Sequence, residues 1–233
     1  MTTFPYSTAL VIGAGSGISA SVARALAAAG VKVGLAAREV RKLSALATEI
    51  GAETFNADAT NLMDVVTLFD EMEGRLGPLE IVLYNAAARL PGAITDLDPR
   101  EVERVIATST YAAFLVVQQA ARRMLPRRAG AILLTGASAS VKGYPRSSAF
   151  AMGMFGRRGL AQSAARELSP QGIHVAHFII DGGVRSAERP VPADQPDSML
   201  DPDAIAQTYL DVLRQPRSAW TWEVELRPWV ETF

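Results

Sequence analysis

The sequence predicts an α/β protein: a doubly wound parallel sheet of about seven strands, with helices on both faces, in a single domain spanning 1–233. Three observations lead there. Short apolar, β-rich runs alternate with Ala- and Leu-rich helical ones along the whole chain. The strand candidates are apolar on both faces, as strands in a covered parallel sheet must be. The chain has 233 residues and shows no composition break or repeat, which suits one large domain with a full core.

In order, "TALVIGA" is a strand followed by a helix over 17–29, and "VKVGLAA" a strand followed by a helix over 39–50. "AETFNAD" precedes a helix over 61–76, "LEIVLYNA" a long helix over 99–125, and "GAILLTGA" a helix over 147–168. "GIHVAHFIID" precedes a polar loop and a helix over 202–214, and "TWEVEL" is the last strand. Strands that alternate with helices in this way are joined by crossovers, which makes the sheet parallel.

Composition excludes several functions. The net charge is −1, so no basic excess exists to hold a phosphate backbone, and a nucleic acid partner is not expected. There is no cysteine, hence no disulfide and no thiolate metal site. The two histidines, His174 and His177, stand three apart on a strand and point to opposite faces, so no metal site is expected. The N-terminus has no charged leader pattern, and no apolar run reaches the roughly 18 to 20 residues that cross a bilayer. A cytoplasmic location without membrane contact is the expectation.

The loop "VIGAGSGIS" joins the first strand to the first helix. Gly13 permits the tight turn, while Gly15, Ser16 and Gly17 bring backbone N–H groups to the helix N-terminus, where a pyrophosphate would sit. The alternative is that these glycines merely turn the chain. About twenty residues on, the second strand ends in Arg38 with no acid before it, and Arg41 and Lys42 come next. An arginine there suits a 2′-phosphate, which favours NADP(H) over NAD(H); otherwise Arg38 only opens a solvated helix.

With "GAGSGI", "NADAT", "YNAAA" and "GAILLTGASAS" in this order, the chain resembles the short-chain dehydrogenases/reductases over essentially its whole length. The resemblance implies a seven-stranded Rossmann-type sheet, a nicotinamide cofactor, and a homodimer or homotetramer. It implies that Gly13, Gly17 and Ile18 line the pyrophosphate, with Ser19 in place of the family's third glycine. Asp58, followed by Ala59, matches the acid that contacts the adenine; Asn85 and Ala86 match the family's Asn-Ala-Gly, with Ala87 for the glycine.

The family's catalytic groups are altered. Ser109 stands at the asparagine position, Ala137 at the serine position with Ser138 beside it, and Phe150 and Met154 replace the Tyr-x-x-x-Lys pair. A carbonyl reduction needs a proton for the developing alkoxide, and neither Phe150 nor Met154 can move one. Two readings are open. One is a cofactor-binding protein with little or no carbonyl reductase activity of the family type. The other is an active oxidoreductase on an unknown carbonyl or alcohol with a relocated acid, for which Tyr144, Tyr111 (expected to face the core) and Ser138 are candidates. Loop 185–203, rich in proline and charge, reads as a substrate-side lid in which Arg185 and Arg189 attract an anion. The tail 216–233, with Trp220, Trp222, Trp229 and Phe233, reads as an oligomer contact, or else folds back on its own domain.

Overall fold

The computed structural model describes residues 4–186 and 189–231. Seven strands, β1 (Thr8–Ile12), β2 (Lys32–Ala37), β3 (Glu53–Asn56), β4 (Ile81–Tyr84), β5 (Gly130–Thr135), β6 (Ile173–Ile180) and β7 (Glu223–Leu226), form one sheet in the order β3-β2-β1-β4-β5-β6-β7. Every neighbouring pair is parallel. Seven helices cross over between them: α1 (Ile18–Ala28), α2 (Ser44–Ile50), α3 (Leu62–Leu76), α4 (Pro99–Ile106), α5 (Ala112–Met124), α6 (Ser148–Leu168) and α7 (Pro202–Leu213). The predicted doubly wound architecture is the observed one.

Alternation along each strand sends successive side chains into two separate cores. Leu10, Ile12, Val82, Tyr84, Ile132 and Leu134 pack under α3, α5 and α6; Val11, Val33, Leu35, Leu83, Leu133 and Phe178 pack under α1 and α7. Each such side chain contributes about 1.5–3 kcal/mol of burial, which is why the central strands read as unbroken apolar runs.

Helix starts are specified locally. The Asn61 side chain accepts from the Met63 and Asp64 N–H groups, Asp98 from Arg100 N–H, and Asp201 from Asp203 N–H, the last two with proline at the first helical position. Helix α1 differs: its cap is Gly17, without a side-chain cap bond and without an acid in the first turn.

Two elements depart from the sequence reading. The predicted helix over 39–50 opens with a 3₁₀ turn, Val40–Leu43. The predicted helix over 99–125 is interrupted by a π-helical turn, Ala107–Tyr111, between α4 and α5. One π turn inserts a residue and rotates the helix beyond it. Ser109 is therefore fully buried, and Tyr111, expected to face the core, is instead 49% exposed and stacked on Phe114.

Strand order reverses between β1 and β4, whose carboxyl ends open the crevice where ligands bind in such sheets. Loop 185–203 stands on that side. Its two ends are held together by Arg185 N–H donating to Leu200 O and by an ion pair between Arg185 and Asp201.

Candidate functional site

Two adjoining cavities, each of about 410 Å³, occupy the crevice and share Ala87 in their walls. The first lies over the glycine loop. Gly13 has φ +79°, and a Cβ there would collide with the Ala86 backbone, so β1 ends in a turn that only glycine makes without strain. The Gly13 and Ala14 N–H groups donate to Ala36 O on β2. Gly15 and Gly17 face open space: a Cβ at either would meet nothing within 4 Å. Ser19, at the position of a third glycine, donates to Gly13 O at 3.0 Å and accepts from Asn85 Nδ2 at 2.7 Å. The serine thus ties the loop to the end of β4.

Arg38, Lys42, Asp58 and Ala59 line the far end of this first cavity. The Arg38 carbonyl accepts from Asn56 Nδ2, and neighbouring Glu39 pairs with Lys42 at 2.9 Å. Burial alone would raise the Asp58 carboxyl, but the Thr60 N–H and hydroxyl, at 2.9 and 2.7 Å, together with Arg38, outweigh it and lower its pKa. Asp58 is therefore an anion at neutral pH.

The second cavity is walled by Asn85, Ala137, Phe150, Met154, Arg157 and Ile180, with Ile18 also in its lining. Ala137, Phe150 and Met154 pack together, and Arg89 lies 4.6 Å over the Phe150 ring. Ser109 sits behind this wall: its hydroxyl accepts from Ala88 N–H at 3.4 Å, and its Cβ packs on Gly153. The π turn presents it to this side. Ser138 opens a 3₁₀ turn, Ser138–Ser140, and Tyr144 is half-exposed; both stand outside the cavity lining, as does Tyr111, which lines a groove on α4.

The sequence reading missed Arg157. It is fully buried, and its guanidinium donates to Ser109 O at 2.7 Å, to Thr135 O at 2.6 Å and to Ala86 O, while its Cζ lies 4.8 Å from the centroid of the Tyr84 ring. It joins the ends of β4 and β5 to the π turn under the cavity floor. Burial pushes its pKa down to about 10, which leaves it charged at neutral pH. The signal was present: Phe150, Met154, Arg157 and Ala161 form one helical stripe, and an arginine in an apolar stripe is out of place.

The histidines are structural. His177 is buried, hydrogen-bonded to Glu223 at 3.1 Å, and pushed down to about 4 by burial, which the Glu223 contact only partly offsets. His174 stacks on Trp220 at 4.7 Å and bonds Thr221 O. Among the described residues, no group of three or more His, Cys, Asp or Glu is placed to hold a metal ion, and no helix is long and apolar enough to cross a membrane. In the tail, Trp222 packs against the core and Trp220 on His174, while Trp229 is 80% exposed. Phe233 lies outside the described residues.

The model of the short chain dehydrogenase family matches residues 7–189. The chain belongs to that family. Among relatives, an uncharacterized oxidoreductase of Staphylococcus aureus strain MW2 is 28% identical over 234 residues, covering 98% of this chain and all of its own. The crystal structure of a short-chain dehydrogenase from Rhodopseudomonas palustris superposes with a TM-score of 0.83 at 36% identity, over 96% of this chain and 99% of that one. A metagenomic short-chain oxidoreductase solved in complex with NADP has a TM-score of 0.84 at 24% identity, over 99% of this chain and 100% of its own, and speaks for the fold. Like these, this short-chain dehydrogenase family member is one seven-stranded parallel sheet with helices on both sides.

Proposed function

We propose that this family member binds a nicotinamide dinucleotide, NADP(H) in preference to NAD(H), and performs little or no carbonyl reduction of the family's usual kind. The residues fit the group. The uncapped N-terminus of α1 and the open Gly15 and Gly17 suit a diphosphate, and Asp58 and Ala59 suit an adenine. Arg38 suits a 2′-phosphate; Glu39, the acid that could take a ribose hydroxyl, is engaged by Lys42.

When bound, such a cofactor supplies a hydride, and the protein has to deliver the matching proton. The observation that carries the second half of the proposal is the wall of the second cavity. Ala137, Phe150 and Met154 converge there, and among its described lining residues no phenol, carboxylic acid, imidazole or ammonium is present. The Thr135 hydroxyl is engaged by Tyr209 at 2.8 Å. Asn85 can orient a polar group but not protonate one. Loss of one placed acid costs about 10²–10⁴ in rate. Phe150 and Met154 keep the shape of tyrosine and lysine, so the crevice stays intact while its chemistry is lost.

The triple variant Phe150→Tyr, Met154→Lys, Ala137→Ser tests this. With NADPH binding confirmed in both proteins, the variant should reduce a diketone or quinone at least about tenfold faster than the parent. Brisk turnover by the parent, abolished by Tyr144→Phe, refutes the proposal. We propose further that the protein is a homodimer or homotetramer, since Trp229, Tyr111, Phe114, Met152 and Phe155 are large apolar side chains left exposed.

A further inference from the structure

The second cavity is cationic. Arg89 and Arg189 both line it, and so does the buried Arg157. The Arg89 guanidinium lies over the Phe150 ring, 4.6 Å from its centroid, a contact that steadies it. The Arg189 guanidinium packs against Gly183, where a Cβ would meet its nitrogens at 3.0 and 3.3 Å. Arg157 donates to three carbonyls and to no carboxylate, so its charge stays uncompensated beneath the floor.

No carboxylate belongs to the described lining, and among the described residues none pairs with Arg89 or Arg189. The nearby Asp181 is already held by Lys142 at 2.9 Å and Arg227 at 3.4 Å. The remaining wall is apolar: Phe150, Met154, Ile180 and Val184. At about 410 Å³ the cavity lies within the range of small-molecule sites, roughly 300–1,000 Å³.

We propose that this cavity is an oxyanion subsite, taking a small molecule whose carboxylate is gripped by Arg89 and Arg189 and whose apolar body lies on Phe150, Met154 and Val184. Two guanidinium forks can each meet a carboxylate through paired N–H bonds, and the buried third charge adds to the positive potential of the cavity. The proposal rests on the cofactor reading only for placing the dinucleotide's adenosine and diphosphate in the adjoining cavity, and it requires no turnover. The same oxyanion chemistry could come from the cofactor's own diphosphate, and the experiment separates the two sources.

Calorimetric titration of the full chain with phenylacetate, and with the neutral 2-phenylethanol, is carried out with and without saturating NADPH, and repeated on the double variant Arg89→Gln, Arg189→Gln. Both side chains are exposed, so the variant keeps the fold. Phenylacetate should bind at least about tenfold tighter than 2-phenylethanol, about 1.4 kcal/mol, and the double variant should abolish that preference. NADPH affinity should be the same in parent and variant. Absence of phenylacetate binding at millimolar concentration, or equal binding of the acid and the alcohol, overturns the proposal. So does a variant that loses NADPH affinity instead, since the arginines then serve the diphosphate. A parent that binds phenylacetate but not NADPH supports the subsite and refutes the cofactor reading.

Discussion

Replacing Arg157 by methionine keeps an unbranched apolar stem, removes the guanidinium and its charge, and should destabilise the fold by about 3 kcal/mol. The guanidinium serves three carbonyls, on Ser109, Thr135 and Ala86, all beneath the crevice. A buried acceptor left without a donor costs about 1–3 kcal/mol, hence about 6 kcal/mol for the three. Against this stands the relief of a buried charge. The depression of its pKa from the ordinary guanidinium value to about 10 corresponds to about 3 kcal/mol, at roughly 1.4 kcal/mol per unit. The difference is the expected loss. Urea unfolding followed by tryptophan fluorescence reads it directly, since Trp220 and Trp222 both sit in packed positions. With a denaturant slope of about 3 kcal/mol per molar, the midpoint should fall by about 1 M. Arg157→Lys retains the charge but not the planar fork, and should recover only part of the loss. A methionine variant with an unchanged or higher midpoint would show that the three carbonyls find other donors and that the clamp is dispensable.

Acid should weaken the protein through His177. Its imidazole titrates near 4 in the fold against about 6.5 unfolded, so the unfolded chain binds the extra proton between those values. Stability is complete above about pH 6.5 and falls by up to about 3 kcal/mol as pH drops toward 4; thermal melts at pH 7 and pH 5 should differ, and His177→Gln should flatten that difference, whereas an unchanged slope would assign it elsewhere. Arg38→Ala should weaken NADPH several-fold more than NADH in fluorescence titrations, and equal losses would remove Arg38 from the 2′-phosphate. Light scattering at micromolar concentration should find a dimer or tetramer, with Trp229→Glu shifting the distribution downward; a monomeric parent ends the oligomer proposal.

Most of the architecture was legible because the elements declare themselves locally. Burial on both sheet faces forces β1, β4 and β5 to be apolar without alternation, and Asn61, Asp98 and Asp201 mark three helix starts. The glycine loop was legible because Gly13 needs a positive φ that few residues tolerate. What escaped was long-range. The π turn at Ala107–Tyr111 has no composition signature, so the facing of Tyr111 was misjudged by one residue of rotation. Ser19 was visible only as a missing glycine; that it bridges Gly13 to Asn85 depends on β4 lying beside β1. Arg157 stood out only as a charge within the apolar stripe of α6; its partners are backbone carbonyls from three distant segments, and those no side-chain pattern records.

The strand order also bears on how the molecule comes to exist. All neighbouring strands are parallel, so no pair is joined by a hairpin, and the central seam pairs Ala9 with Ile81. During synthesis the glycine loop on β1 emerges early, and its tie through Ser19 to Asn85 waits for β4 to arrive. Pairing over such a separation closes a long loop before any contact rewards it, which slows folding. Completion of the crevice therefore waits on this pairing, and nascent chains halted before β4 carry the glycine loop without the partner that fixes its shape. A ligand that spans the seam binds only after this joining step, and by mass action it favours the joined state over its precursors.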